Sequence, residues 1–357
     1  MKKIAPPSFA DLAVARRKIK TQFFSQINQL VDWRLISNII NKHYTKGISP
    51  TGQPAYEGLL LFKMTLLQTW YGLSDYELEE RLNDSISFSR FCGLSLQIPS
   101  PDHSTVSRFR TEMTQKGAYE KLLKALNKQL EKHKIIIKTG AIVDASIIDS
   151  PLKPKGKPTY ELVDDRPKEE EELEIKSEKD QTQGPTVVKI IPPGVDTQAA
   201  WVIRAGKLRY GYKKHVVTDE GGMILGIVTT PANVNEISNL ATVLASADLP
   251  EHIPLKADKG YQSKKNTEVL KTNKLKNHIL KKAVKGKKLG IWEVKFNKLI
   301  GKVRYKVERT FAGIKRWFNV QGARYRGIKK MHTQNLMEAM AYNLYRSPGI
   351  VMSNYKK

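Results

Sequence analysis

The stretch that decides the fold is AIVDASII at residues 141–148. Its aliphatic and β-branched residues predict a central, buried β-strand. Asp144 interrupts this apolar run, and an unpaired carboxylate in a protein interior is strongly disfavoured. The stretch therefore predicts both a sheet and a cationic group that lies against Asp144.

The residues that follow continue the strand pattern. LRYGYKKHVVTD at 208–219 and MILGIVTT at 223–230 are separated by Glu-Gly-Gly, which predicts an antiparallel hairpin. Two later strands are predicted at 254–258 and 277–282, with helices between and after them. The order β-β-β-α-β-α-β-α is typical of an α/β fold, and we expect a ribonuclease H-like domain with a mixed sheet at residues 135–350.

The first part of the chain has a different pattern. Apolar residues at helical spacing predict an all-helical domain at residues 1–134. Within it, SPDHSTVSRFRTEM at 100–113 predicts a short helix that points Arg108 and Arg110 outward, as in a helix-turn-helix variant. A helical packing domain with incidental arginines fits the same pattern, so both alternatives stay open.

Charge is distributed unevenly along the chain. The formal net charge is +26, and residues 256–330 alone contain 24 Lys and Arg against four acidic residues. Such a local excess indicates a polyanionic partner. Residues 160–180 have the opposite bias, with ten acidic and four basic residues, and prolines flank them. We therefore expect an acidic flexible insertion at about residues 153–195, either a linker or a DNA-mimicking regulatory segment.

Several classes of protein are excluded by composition and missing motifs. Cys92 is the only cysteine, which rules out an intramolecular disulfide and a cysteine-based zinc site. The most apolar stretch, residues 59–67, is interrupted by Lys63 and is shorter than the roughly 20 residues of a membrane span. There is no G-x-S-x-G and no G-x-x-x-x-G-K-[ST]. We expect an intracellular, cytoplasmic protein with no membrane partner.

Three carboxylates are candidates for a metal site. Asp144 lies in the first strand, Asp258 ends a strand predicted to lie beside it, and Glu308 lies in a long helix predicted at 293–320. Three carboxylates can hold two divalent cations for an in-line phosphodiester displacement, and their hard oxygen atoms favour Mg²⁺ or Mn²⁺. The alternative for Glu308 is an ordinary salt bridge on a solvated helix face.

The long helix also organises the basic residues. At about 100° per residue, Arg304 and Lys315 share a stripe with Glu308. A separate outer face is basic, and the apolar residues form a third face. The residues of the basic face include Lys298, Lys302, Arg309 and Arg316.

A set of motifs resembles bacterial insertion-sequence transposases of the DDE type, specifically the IS-five group. Each motif is moderately specific, but their order and spacing extend over nearly the whole chain. The motifs are WYGLSDYELEERL (70–82), PSPDHSTVSRFR (99–110), VDASIIDSP (143–151), YGYKKHVVTDEGGMILGIVTTPANVNE (210–236), ADKGYQ (257–262) and VRYKVERTFAGIKRWFNVQGARYRG (303–327).

The resemblance implies a function and a catalytic triad. Such an enzyme binds terminal inverted repeats, hydrolyses a phosphodiester to expose a 3′-hydroxyl and joins it to target DNA, which is DNA recombination. The family's catalytic and metal-binding carboxylates fall on Asp144, Asp258 and Glu308. They imply two Mg²⁺ ions, which Mn²⁺ can replace. The expected partners are double-stranded DNA at the element ends and the target, and a second copy of the chain on paired ends, in the bacterial nucleoid.

The resemblance also implies DNA contacts. Arg304 and Lys315 match the family signature in register, whereas the signature tyrosine position is Gly301 here and Tyr305 lies four residues away on the same side. With the basic helix face and the helical domain, the expected DNA contacts are Arg304, Lys315, Arg108, Arg110, Lys298, Lys302, Arg309 and Arg316.

Other functions remain open at this point. The main alternatives are a metal-dependent DNA nuclease that cuts without joining, and a catalytically inactive DNA-binding protein derived from a transposase. An RNA-binding protein rests on charge alone, because no aromatic RNA-binding strand motif is present.

We predict that the affinity for duplex DNA falls steeply with salt concentration, because the Lys and Arg residues of 256–330 displace counterions from DNA. With about six to ten phosphate contacts, affinity falls by about 10³ to 10⁵ between about 50 and 200 mM salt. Fluorescence anisotropy of a labelled duplex measures this slope. A flat response would show that the basic segment is not the DNA surface.

Overall fold

The helical part of the chain comes first. The structure is a computed structural model that describes residues 22–45, 55–95, 97–156, 159–163, 186–283, 288–320 and 322–354. The first helices are α1 (Gln22–Leu30), α2 (Trp33–His43), α3 (Gly58–Tyr71), α4 (Asp75–Asp84), α5 (Ile86–Cys92), α6 (His103–Gln115) and α7 (Ala118–Lys132). Within the described residues, no helix is both long and apolar enough to cross a membrane.

Strands and helices then alternate in the second part of the chain. The strands are β1 (Ala141–Asp149), β2 (Thr159–Val163), β3 (Thr186–Ile190), β4 (Ala200–Arg204), β5 (Lys207–Asp219), β6 (Ile224–Pro231), β7 (Pro254–Ala257) and β8 (Lys276–Ile279). The helices are α8 (Leu240–Ala245), α9 (Lys264–Thr272), α10 (Ile291–Trp317) and α11 (Ile328–Asn354), with 3₁₀ turns at Ile237–Asn239 and Lys259–Tyr261.

The main sheet is mixed, and β1 lies at its centre. One edge of β1 pairs antiparallel with β5, which in turn pairs antiparallel with β6. The other edge pairs parallel with β7, and β7 pairs parallel with β8. This arrangement confirms the predicted α/β fold, the mixed sheet and the hairpin at β5 and β6. It also makes β1 and β7 neighbours, as the candidate carboxylates require.

The predicted insertion contains more structure than the sequence indicated. At the described ends of residues 153–195, β2 and β3 form a two-stranded antiparallel sheet with Thr159 opposite Ile190. TYELV and TVVKI have the β-branched residues of strands, and the flexibility of the acidic insertion stays a prediction. Residues 157–158 and 164–185, which include most of the acidic residues, lie outside the described residues.

One hydrophobic core joins the helical part to the sheet. Helix α3 is buried on nearly all sides, and its Trp70 donates from Nε1 to the carbonyl oxygen of Ala341 in α11 at 2.9 Å. The same core includes Ile142 of β1 and Val307 of α10. The division into domains at residues 1–134 and 135–350 stays a proposal, because the two parts share this core.

The prediction that Arg110 points outward is wrong. Its Nη2 donates to Asp75 Oδ2 at 2.7 Å and its Nη1 donates to Asp75 Oδ1 at 2.9 Å and to Gln68 Oε1 at 3.2 Å. Helix α6 turns Arg110 inward with Val106 and Met113, because all three lie on the face that packs on the other helices. Burial opposes ionisation of Asp75, but the Arg110 guanidinium holds the pKa of this carboxyl below its usual value.

Arg108 lies on the solvent side of α6, where it is exposed and donates to Ser104 Oγ at 2.6 Å. The two arginines of this helix therefore have different environments. Arg110 is committed to the packing of the helical part, whereas Arg108 remains accessible to a partner.

We predict that Arg110→Ala lowers the free energy of unfolding by about 3 kcal/mol, because it leaves the partly buried Asp75 carboxylate without its cation. The matched change Arg108→Ala is expected to change stability by less than about 0.5 kcal/mol, since that side chain is exposed. Urea unfolding followed by circular dichroism compares the two variants. Equal losses of stability would contradict the assignment of Arg110 to the interior.

Candidate functional site

The site lies at the carboxyl end of β7, beside the middle of the parallel strand β1. Asp144 lies in β1 and is 8% exposed, and Asp258 directly follows β7. The register places Val143 opposite Ala257, the residues that precede the two aspartates. Adjacent parallel strands lie about 5 Å apart, so the aspartates emerge side by side. The sequence prediction that they converge agrees with this geometry.

Arg304 of α10 lies between the predicted carboxylates. Its Nη2 atom is 3.3 Å from Asp144 Oδ2, and its Nη1 atom is 3.2 Å from Asp258 Oδ1. Glu308, one helical turn later, has its Oε1 atom 3.6 Å from Nη2. The cation that the buried aspartate requires is therefore Arg304, and one guanidinium joins all three carboxylates.

The three carboxylates differ in exposure and hence in electrostatic cost. The side chain of Asp144 is 12% exposed, whereas those of Asp258 and Glu308 are 37% and 63% exposed. Burial raises the pKa of Asp144, and the Arg304 charge and the Ala145 N–H oppose that rise. Three carboxylates around one guanidinium carry a net negative charge when ionised. The site therefore attracts further positive charge.

Helix α10 positions Arg304 and Glu308 by burying its opposite face. The predicted apolar face is confirmed, because its residues are at most 8% exposed and all but Ile300 lie in the core that includes Ile142. These residues are Ile300, Val307, Phe311, Ile314 and Phe318. The residues of the predicted basic face are exposed, and they are Lys298, Lys302, Arg309 and Arg316. Lys315, predicted on the stripe of Glu308, is exposed as well. Their contact with DNA stays a prediction.

Gly301 occupies the signature tyrosine position, and it faces open space. A Cβ atom at this position would meet nothing within 4 Å. Tyr305, one turn later, is 51% exposed. The helix surface therefore has room for an aromatic ring here, and a role for Tyr305 in place of the missing tyrosine stays a prediction.

Sequence reasoning missed two residues near the site. Glu236 follows β6, and its Oε1 lies 3.1 Å from Arg204 Nη1 and 3.7 Å from Lys213 Nζ. Burial is the largest cause that raises the pKa of Asp144, and the negative charge of Glu236 also acts to raise it. Tyr261, in the turn after Asp258, is fully buried, and its hydroxyl has no hydrogen-bond partner among the described residues. Both residues belong to quoted motifs, but only the fold shows their proximity.

The donor set fits a hard divalent cation, although the carboxylates surround Arg304. Across the part of the chain that the structure describes, no group of three or more His, Cys, Asp or Glu side chains is close enough to hold a metal ion. The oxygen atoms of Asp144, Asp258 and Glu308 are nevertheless the ligand type that Mg²⁺ and Mn²⁺ prefer. The Arg304 guanidinium already lies between these oxygen atoms, which shows that the site accommodates positive charge.

Two family models match most of the chain. Residues 13–112 match "Transposase domain (DUF772)" and residues 138–344 match "Transposase DDE domain". A curated relative is the transposase for insertion sequence element IS1106 of Neisseria meningitidis serogroup B. It is 31% identical over 242 residues, which cover 67% of this chain and 76% of that protein. These matches do not single out the IS-five group, so that assignment stays a prediction.

Solved structures give only distant matches. The Mos1 transposase paired-end complex with left transposon end has 13% identity and a TM-score of 0.21, over 87% of this chain and 94% of that one. A pre-cleavage Mos1 transpososome has 12% identity and a TM-score of 0.22, over 93% and 98%. These scores are too low to establish a shared fold. The second family model alone covers more than half of the chain, and the protein therefore belongs to the DDE transposase family of enzymes that act on DNA.

Proposed function

We propose that the protein is a transposase that binds the terminal inverted repeats of an insertion sequence and catalyses metal-dependent strand cleavage and strand transfer. Asp144, Asp258 and Glu308 form its catalytic triad. The observation that carries this proposal is the convergence of the three carboxylates on Arg304, at the carboxyl end of β7 and beside the middle of β1. This edge of an α/β sheet is where ligands generally bind.

The carboxylates differ in how firmly the fold holds them. Asp144 and Asp258 would bind metal from positions fixed by β1 and β7, and the more exposed Glu308 would complete the set from α10. Two Mg²⁺ ions, or Mn²⁺ in their place, would activate the attacking water or 3′-hydroxyl and stabilise the leaving oxygen. Arg304 would then contact the scissile phosphate, because its guanidinium already lies beside all three carboxylates.

The DNA surface extends along α10. The exposed cations Lys298, Lys302, Arg309, Lys315 and Arg316 would bind phosphates of double-stranded DNA. Arg108 would add a contact from the helical part, which would recognise the element end. We propose that two copies act together on paired ends in the bacterial nucleoid.

One observation supports a second candidate function. A catalytically inactive DNA-binding protein would be destabilised by a buried Asp144 that had neither a metal nor another cation beside it. Arg304 compensates Asp144 directly, so retention of the carboxylates does not require metal. An assay of cleavage and joining is needed to separate the two functions.

We predict that Arg304→Ala binds Mn²⁺ more tightly than the wild type in the absence of DNA, by about tenfold or more. The change removes a guanidinium that competes for all three carboxylates, and tenfold corresponds to about 1.4 kcal/mol. Electron paramagnetic resonance of free Mn²⁺ measures the affinity. The matched control is Arg309→Ala, which removes an exposed arginine of the same helix. Weaker Mn²⁺ binding by Arg304→Ala would mean that Arg304 orders the carboxylates instead of competing for them.

We predict that Asp144→Asn, Asp258→Asn and Glu308→Gln each reduce DNA cleavage and joining by about 10³-fold or more, because each removes a charged metal ligand. DNA affinity should stay within about threefold of the wild type. The assay uses linear DNA that carries the element's own ends, with Mg²⁺, and a gel that separates cut from joined products. Glu268→Gln makes the same change on the exposed side of α9 and should leave activity unchanged.

The products separate the candidate functions. Joined products from the wild type and none from the triad variants support the transposase. Cleavage without joining by the wild type would identify a nuclease, and binding without either reaction would identify an inactive DNA-binding protein.

A further inference from the structure

A large cavity lies away from the three carboxylates, where the end of β1 meets the segment after α10. Its volume is about 710 Å³, within the range of pockets that bind small molecules. Lys153, Arg209 and Arg324 line it, with Asp149 as the acidic residue of its wall. These four side chains give the cavity a net positive charge, which favours an anionic ligand.

Two of the cations are held in place by the protein. Arg209 donates from Nε and Nη2 to the two carboxylate oxygens of Asp149, at 2.8 and 2.6 Å. Arg324 donates from Nη2 to the carbonyl oxygens of Gly72 and Leu73, at 2.8 and 2.9 Å. Guanidinium groups fixed in this way lose little further freedom when they bind a phosphate, which makes them good phosphate ligands.

The cavity also has an aromatic wall. Trp201 of β4 lines it and remains 40% exposed, although its ring packs against Tyr210 with the ring centroids 4.9 Å apart. A partly exposed indole beside fixed cations is the combination on which unpaired bases stack in proteins that bind single strands. A base inside a duplex offers no free face, so the ligand must be unpaired.

A second cavity adjoins the first on the side of β1. It has a volume of about 260 Å³, and its lining includes Ser146, Lys214 and Lys315. Ser146 lies two residues after Asp144, on the same side of β1. The two cavities share Asp149 and Arg209 in their walls. Positive side chains therefore line both cavities, from Lys214 and Lys315 in the smaller one to Arg209 and Arg324 in the one that Trp201 lines.

Arg209 and Lys214 pair with Asp149 and Glu338, and Lys315 lies near both cations. Partial burial lowers the pKa of Lys315, and the positive charges of Arg209 and Lys214 lower it further, although Asp149 and Glu338 oppose this. A phosphate beside Lys315 would favour its charged form. The distance also suits a strand, since the five residues from Asp144 to Asp149 span about 17 Å, or about five stacked nucleotides.

We propose that the larger cavity binds one unpaired nucleotide of the DNA strand that leaves the three-carboxylate site, with its base on Trp201 and its phosphate on Arg209 and Arg324. This inference rests on the proposed function, because that site supplies the strand. The nucleotide lies up to about five positions from the scissile phosphate. Its binding anchors the end of the strand while the carboxylates act on the phosphate.

The test uses 2-aminopurine, a fluorescent base whose emission falls on stacking. The probe is a duplex that carries the element end with a six-nucleotide single-stranded extension beyond the cleavage position, with 2-aminopurine at each extension position in turn. The full-length protein is measured in EDTA, so that only binding is observed. We expect quenching at one or two adjacent positions, reduced at least threefold by Trp201→Ala and largely restored by Trp201→Phe.

The matched control is Ile203→Ala, two residues along the same strand, where the side chain is 72% exposed and does not line the cavity. This variant should quench the 2-aminopurine emission as strongly as the wild type does. No quenching at any position, or the same quenching with Trp201→Ala, would overturn the inference. Cleavage by the wild type in Mg²⁺ tests the proposed function separately, so cleavage without quenching would remove only this inference.

Discussion

The rest of the structure depends on the burial of a carboxylate in the central strand. Asp144 lies in the middle of β1, where the strand pairs with β5 on one side and its pairing with β7 has just ended on the other, and the cation that neutralises it approaches from the face of the sheet. Arg304 approaches in this way, because α10 crosses that face with Val307 and Ile314 buried beneath it. Burial of the apolar side of α10 thus sets the direction in which its polar side faces, and Glu308 comes within reach of the same guanidinium.

Helix α11 holds this arrangement together through buried polar contacts. Glu338 forms an ion pair with Lys214 of β5 at 2.6 Å, and the two side chains are 2% and 5% exposed. Asn343 donates to Asn127 of α7 at 2.9 Å and to the carbonyl oxygen of Ile224 in β6 at 2.8 Å. Satisfied polar groups in a low-dielectric interior permit few alternative registers. We infer that these contacts set how the helical part sits on the sheet, and so where its exposed arginines lie relative to the carboxylates.

The sequence predicted those features that follow from periodicity and from the cost of a buried charge. The strand at 141–148, the cation beside Asp144 and the buried face of α10 are of this kind. The orientation of Arg110 could not be predicted, because helical spacing identifies a face of the helix without showing whether a polar residue on it has a buried partner such as Asp75. Pairing partners far apart in sequence can be seen only in the fold.

The same limit applies to the loops and edges around the site. Glu236 and Tyr261 come near the carboxylates because two loops meet at one edge of the sheet, and no local pattern encodes that meeting. Strand β4 was missed because it is short and mostly exposed, so it lacks the apolar alternation of a buried strand. Exposed edge strands have little hydrophobic pattern in their sequence, and Trp201 lies on such a strand, β4.

The position of Arg304 has a consequence for how metal and DNA act together in the proposed function. One guanidinium cannot keep close contacts with three carboxylates and also pair fully with a phosphate, since it has five N–H donors in a fixed plane. A phosphate that draws Arg304 away leaves a net negative site, which binds divalent cations more tightly. By linkage, metal bound to the carboxylates would in turn release Arg304 to bind DNA. In the proposed function the two ligands would therefore favour each other, and metal would bind mainly when a DNA end is present.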